Sequence, residues 1–257
     1  MAGAALRRGA GNGRVVAPAQ ALAAPARLPG LDALRGLALL AMIAYHFCFD
    51  LRWFGLARFD FEHDVRWLAT RSIILASFLL IAGASLVLAL QRPDPQRRLA
   101  VHVARIAGAA LLVSAASYVA SSSRYIWFGV LHAIAIALVL AWPIVKHPRT
   151  AAVLGAAVIA AGLLLAHPAF DNRALGWIGF MTYKPPTEDY VPLFPWAGVL
   201  FLGIPAGHAL LRTQGRLLAP LARLPRAIAL LGRHSLLVYL VHQPLLLGLL
   251  WLVTRSR

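Results

Sequence analysis

Seven apolar runs, each near the length a helix needs to cross a bilayer, constrain this chain more than any other feature. They are Leu31–Phe54, Ser72–Leu90, Leu99–Val119, Tyr125–Val145, Thr150–Ala166, Leu193–Leu211 and Ala227–Val253. At 1.5 Å per residue, about 20 apolar residues cover the ~30 Å of hydrocarbon. A soluble domain is roughly 45–50% apolar and about 25% charged. Here 60% of the 257 residues are hydrophobic and 13% are charged. Lipid cannot hydrogen-bond an exposed backbone, so the runs must be helical. The expected fold is all-α: a polytopic transmembrane helical bundle of about seven spans. The fifth run is short and the seventh long, and Leu217 to Leu230 reads as an interfacial helix leading into the last span.

Charge gives the expected orientation. The net charge is +16, but the arginines form short clusters between apolar runs rather than the continuous basic stripe of a nucleic-acid binder. With the N-terminus inside, the cytoplasmic segments hold thirteen cations, among them Arg92, Arg97, Arg98, Arg212 and Arg216, opposed only by Asp94. On the other side, Arg58, Arg66, Arg124 and three other arginines share the segments with Lys184 and with Asp60, Glu62, Asp64, Asp171, Glu188 and Asp189. The positive-inside rule then puts the N-terminus in the cytoplasm and the C-terminus outside. Residues 1–28, rich in Ala, Gly, Arg and Pro, read as a disordered basic arm, and 29–257 as a single transmembrane domain. The longest connection, His167 to Pro192, falls outside and reads as a lid, an acceptor-binding segment or a plain surface loop. Cys48 is the only cysteine. It excludes an intramolecular disulfide and a cysteine-based zinc site, and it reads as a small hydrophobe.

Ionisable residues within a span cost on the order of 2.5–3.5 kcal/mol each, so they need partners or a wet cavity. The first run carries Asp32, Arg35, His46 and Asp50. Arg35 and His46 differ by eleven positions, which leaves them only about 20° apart around a helix axis. One stripe therefore runs Asp32, Arg35, Leu39, Met42, His46, Asp50, Trp53. His46 and Asp50 are an i,i+4 pair that can touch. Arg35 lies roughly 16 Å from His46 along the axis, a reach suited to an extended cofactor with phosphates at the arginine and a reactive end at the histidine. Asp50 would then fix the tautomer of the imidazole. The alternative is a polar network that pins helix packing, with Arg35 paired to Asp32 or snorkelling to headgroups. In the last run, His242 is followed by Gln243 and Pro244, and the proline should kink the helix there. His242 reads either as part of a cavity wall or as a structural hydrogen bonder; His132 and His208 read as structural. No metal-binding or serine-nucleophile motif is present.

Five blocks carry a family resemblance: LDALRGLALLAMIAYHFCFDL (Leu31–Leu51), FLLIAGASL (Phe78–Leu86), FGVLHAIAIALV (Phe128–Val139), DYVPLFPWAGVLFLGI (Asp189–Ile204) and LGRHSLLVYLVHQP (Leu231–Pro244). In this order they resemble the DUF1624 family, the bacterial relatives of the heparan-α-glucosaminide N-acetyltransferase catalytic domain. The first and last blocks are also similar to the acyltransferase-3 membrane family, in which an arginine precedes a first-span histidine by the interval seen between Arg35 and His46. The resemblance implies transfer of an acetyl or other acyl group from cytoplasmic acyl-CoA to a glycan or lipid-linked sugar at the far face. It implies CoA-phosphate contact at Arg35 and catalysis at His46, which Asp50 would orient by its spacing; no metal is expected. A second candidate is His63, because the lysosomal enzyme's histidine follows the first span. Tyr239 and His242 would line the acceptor path or an oxyanion site. The expected location is a bacterial cytoplasmic (inner) membrane, with the lipid bilayer, acyl-CoA and the sugar acceptor as partners, no nucleic acid, and a homo-oligomer compatible. A transporter or flippase is the alternative, though no internal repeat supports it; an envelope scaffold is a further one.

Overall fold

A computed structural model describes residues 28–255, so the N-terminal arm lies outside the described residues. Those residues form helices and connecting turns, with no strand among them. The helices are α1 (Pro29–Trp53), α2 (Val65–Ala89), α3 (Pro95–Ala120), α4 (Val130–Ala141), α5 (Pro148–Leu164), the single turn α6 (Arg173–Gly176), α7 (Leu193–Arg212), α8 (Arg226–Arg233) and α9 (Ser235–Arg255). Each apolar run of the sequence is occupied by helix. Five helices, α1, α2, α3, α7 and α9, are long and apolar enough to cross a membrane. Val130–Ile144, which is α4 with its 3-10 extension, and α5 are shorter.

Two boundaries differ from expectation for local reasons. Helix α2 starts at Val65 instead of Ser72, because Asp64 accepts a hydrogen bond from the Arg66 N–H and caps the first turn. The seventh run is two helices. The chain breaks at His234, between α8 and α9, where Gly232 lies directly against the Asp32 carbonyl of α1. Before the break, Leu217 to Leu230 forms two 3-10 turns and most of α8 rather than one interfacial helix. Helix α9 continues through Pro244.

Small residues set the packing, as expected where helices approach without a hydrophobic driving force. Helix α7 is the hub. Gly83 of α2 meets the Leu200 carbonyl, and Gly203 of α7 meets the Leu80 carbonyl. On its other flank Gly155 of α5 and Gly198 of α7 face each other's backbone. Leu79, Val87, Leu138, Ala141, Leu200 and Ile204 fill the resulting core. Helix α1 joins through Gly36, which abuts the Ile228 carbonyl of α8.

The connections at the acidic end are tied down. Arg124 pairs with Glu188 at 2.6 Å, and the Thr187 hydroxyl donates to the Tyr125 carbonyl at 2.8 Å. Asp189 accepts from the Val130 N–H at 3.0 Å, anchoring the start of α4. Burial pushes the Asp189 carboxyl up, while that N–H, Arg71 and Lys184 pull it down. Asp171 receives both the backbone N–H and the hydroxyl of Thr182, and the Tyr190 hydroxyl donates to the Gly176 carbonyl. Burial pushes that phenol up to about 12. The long 167–192 connection is thus a fixed cap over the α3–α4 corner.

A β-carbon at Gly83 would collide with the Leu200 carbonyl, whereas one at Gly108 would meet nothing. Thermal unfolding in one detergent should show Gly83→Val destabilised by roughly 1–3 kcal/mol or more. Gly108→Ala should be as stable as the parent or firmer by up to ~1 kcal/mol. Equal behaviour of the two would refute the tight α2–α7 contact.

Candidate active site

The polar stripe of α1 faces the bundle for most of its length. Asp32, Leu39, Met42 and Asp50 are buried and Arg35 and His46 half-buried; Trp53, at the end, is exposed. The stripe's two polar ends meet different neighbours and do different things.

At the arginine-rich end, Arg35 donates to the Ser85 hydroxyl of α2 at 2.7 Å, to Asp32 at 3.3 Å and to the Gly232 carbonyl at 3.5 Å. Arg233 of α8 takes the other oxygen of Asp32 at 3.2 Å. One carboxylate therefore serves two guanidinium groups, and the cluster keeps one net positive charge. His102 of α3 lies within electrostatic reach of Arg35 and of Arg105. Arg35 is a staple joining three helices and part of a cationic corner.

At the other end, α1 meets α9. The rings of His46 and His242 stand 5.0 Å apart at 59°, and Tyr239 lies 5.7 Å from His242. Asp50 is 1% exposed and accepts from the Gln243 Nε2 at 2.7 Å. The expected Asp50–His46 pairing is replaced by this bond across helices. The i,i+4 spacing puts the two side chains side by side, but an amide on the facing helix supplies the carboxylate with a directed N–H. The His242 Nδ1 lies 2.6 Å from the Tyr239 carbonyl. A carbonyl only accepts, so Nδ1 carries the proton, and in the neutral ring Nε2 presents a bare lone pair.

Three buried atoms of this contact have no hydrogen-bond partner among the described residues: Asp50 Oδ2, His242 Nε2 and Gln243 Oε1. With Asp50 ionised, all three are acceptors. Leaving a buried polar atom unpaired costs about 1–3 kcal/mol, so the site is poised for a group that brings N–H or O–H hydrogens. A bare Nε2 cannot donate to an oxyanion, so the oxyanion role expected for His242 does not suit this tautomer. Tyr239 packs against the main core and lies within electrostatic reach of Asp189.

His63 sits apart from this cluster, in the α1–α2 connection. Its side chain is 82% exposed, and its Nδ1 lies 3.2 Å from Asp60 Oδ1. Asp60 also accepts from the backbone N–H groups of Glu62 and His63, which hold its carboxyl below the usual carboxylate range. The histidine–carboxylate pair expected at His46 is thus observed at His63. His63, Asp60, Glu62, Arg52 and Arg58 line an open hollow of about 470 Å³. Phe61 anchors the connection by packing on Tyr45, Phe49 and Trp67.

The other in-span histidines serve structure. His132 accepts from the Gly129 N–H and approaches the Ser114 hydroxyl, and His208 Nε2 meets the Val145 carbonyl. Sequence reasoning gave no role to Gln243, Ser85 or Arg233. Gln243 was the most accessible of these, as an uncharged polar residue in an apolar run beside a histidine.

Five helices of spanning length, with a polar cluster closed between two of them, define the class as an integral membrane protein. The chain belongs to the heparan-α-glucosaminide N-acetyltransferase catalytic-domain family, whose model matches residues 27–244. All five blocks of the resemblance lie within that stretch. No curated protein and no solved structure matches the chain.

The His242 tautomer can be read directly. In protein labelled with ¹⁵N-histidine, with His242 assigned by difference against His242→Asn, Nδ1 should resonate as a protonated nitrogen and Nε2 as an unprotonated one. The opposite pattern would remove the bare acceptor from the site.

Proposed function

We propose that the protein is a membrane-embedded acetyltransferase that moves an acetyl or other acyl group from cytoplasmic acyl-CoA to an amine or hydroxyl of a sugar, glycan or lipid-linked sugar. One observation carries this reading beyond family membership: the α1–α9 contact holds three buried acceptor atoms in want of a donor. An acceptor substrate supplies such hydrogens at the atom that must react.

In this reading there are seven spans, the last of them α9, with the N-terminus cytoplasmic and the C-terminus outside, in a bacterial inner membrane. The donor's phosphates rest at the net positive charge of Arg35, Arg233 and Asp32, and its thioester reaches toward His46. Asp50 and Gln243 hold the acceptor's hydrogens. The acceptor nitrogen or oxygen attacks the thioester carbon, the C–S bond breaks, and CoA leaves as its thiolate. The acceptor's proton passes to a histidine, with the rings of His46 and His242 centred 5.0 Å apart. On a two-step route, His46 first carries the acyl group and the acceptor then takes it from there.

A second reading has a specific observation in its favour. The His63–Asp60 pair, beside an open hollow, has the carboxylate–imidazole arrangement of a general base. It would place proton transfer at the acidic end of the bundle, above Tyr45.

Purified protein, labelled acetyl-CoA and a panel of amino sugars separate these readings. Release of CoA should fall about 10²–10⁴-fold in His46→Ala, the range for loss of a positioned proton-transfer group, and clearly in His242→Ala. His63→Ala should stay within about twofold. The reverse pattern would move the chemistry to the α1–α2 connection. Intact thioester with every donor and acceptor, together with solute movement driven by a pH gradient, would replace the enzyme with a carrier.

A further inference from the structure

The stretch between α7 and α9 has no part in the chemistry above, except through Arg233. It begins where one helix of spanning length ends, at Arg212, and finishes where another begins, at Ser235. With α7 and α9 as spans, both ends fall at the membrane boundary, and residues 213–234 would lie along it. From Arg212 to Arg233 the sequence has five arginines and no acidic residue. Arg233 is neutralised by Asp32. Arg212, Arg216, Arg223 and Arg226 are exposed, and none has an ion-pair partner among the described residues.

The stretch is also held in a fixed shape. Gly30 of α1 lies against Leu218, Gly36 against Ile228, and Gly232 against the Asp32 carbonyl, so the two 3-10 turns and α8 are seated on α1. Leu217 and Leu230 remain 61% and 54% exposed among the arginines. The arrangement presents leucines to acyl chains and guanidinium forks to phosphates at headgroup depth. Four cations on a seated scaffold, without competing carboxylates, form a surface complementary to anionic headgroups.

We propose that residues 212–226 form a binding surface for anionic phospholipid, with Arg216, Arg223 and Arg226 holding the headgroup phosphates. The partner is a lipid of the leaflet in which the stretch lies. Its recognition does not depend on the acyltransferase reading.

The test uses full-length protein in phosphatidylcholine nanodiscs with a minor fraction of phosphatidylglycerol, followed by detergent exchange and mass spectrometry of retained lipid. The parent should retain phosphatidylglycerol several-fold above its supplied fraction, and high salt should reduce the excess. R216Q/R223Q/R226Q should fall to the supplied fraction. R97Q/R149Q, which removes two exposed cations from the same end of the bundle, should keep the enrichment. R216Q/R226Q gives a milder second arm, and melting temperatures in detergent check that each variant is folded. Retention at the supplied fraction in the parent, or unchanged enrichment in the triple variant, overturns the proposal. Equal loss in R97Q/R149Q does so too, because the effect would then belong to any basic end. Displacement of the retained lipid by acetyl-CoA would assign the arginines to the donor instead.

Discussion

The hydrogen bond from Gln243 to Asp50 closes α1 onto α9, and the candidate site depends on it. In hydrocarbon a carboxylate finds no solvent, so its partners must come from the protein. One amide N–H meets one oxygen, and the second is left over. The same constraint acts at the opposite end of α1, where Asp32 is fully engaged by Arg35 and Arg233. A satisfied acid staples helices. A half-satisfied one, next to a histidine whose lone pair is also unused, has bonding capacity for something else.

Much of the fold was legible because span length and hydrophobicity are properties of single segments. Helix α7 lies within a residue of its run at either end, and α1 and α5 within two. The departures arise where a neighbour decides. Ala227–Val253 reads as one run, but Gly232, Arg233, His234 and Ser235 interrupt it, and the break falls there, where Gly232 contacts α1. The start of α2 is set by the Asp64 cap, in a stretch whose arginines hide it from a hydropathy reading. Asp189 reads as one more outer-loop charge, yet it is half-buried and anchors α4.

The site was legible to the same extent. Helical spacing aligned Asp32, Arg35, His46 and Asp50, and the structure turns that face toward the bundle. Spacing along one helix reports which residues share a face; it cannot say what stands opposite. So the i,i+4 rule gave Asp50 to His46, while the structure gives it to a glutamine 193 positions away. Pairing of a histidine with a carboxylate occurs instead in the turn at Asp60–His63, where backbone N–H groups fix the acid first.

The unmatched acceptors beside His46 bear on what happens after transfer. Acylation spends the very hydrogens that such a pocket is short of: a hydroxyl becomes an ester with none, and an amine becomes an amide with one. On the proposed reading, a hydroxyl brings one hydrogen and a neutral amine two to Asp50, His242 and Gln243, and the product brings one fewer in each case. On that reading the three unpartnered acceptors hold substrate more firmly than product, and the reaction itself loosens the grip. Exit would then be favoured by bond loss at the reacting atom itself.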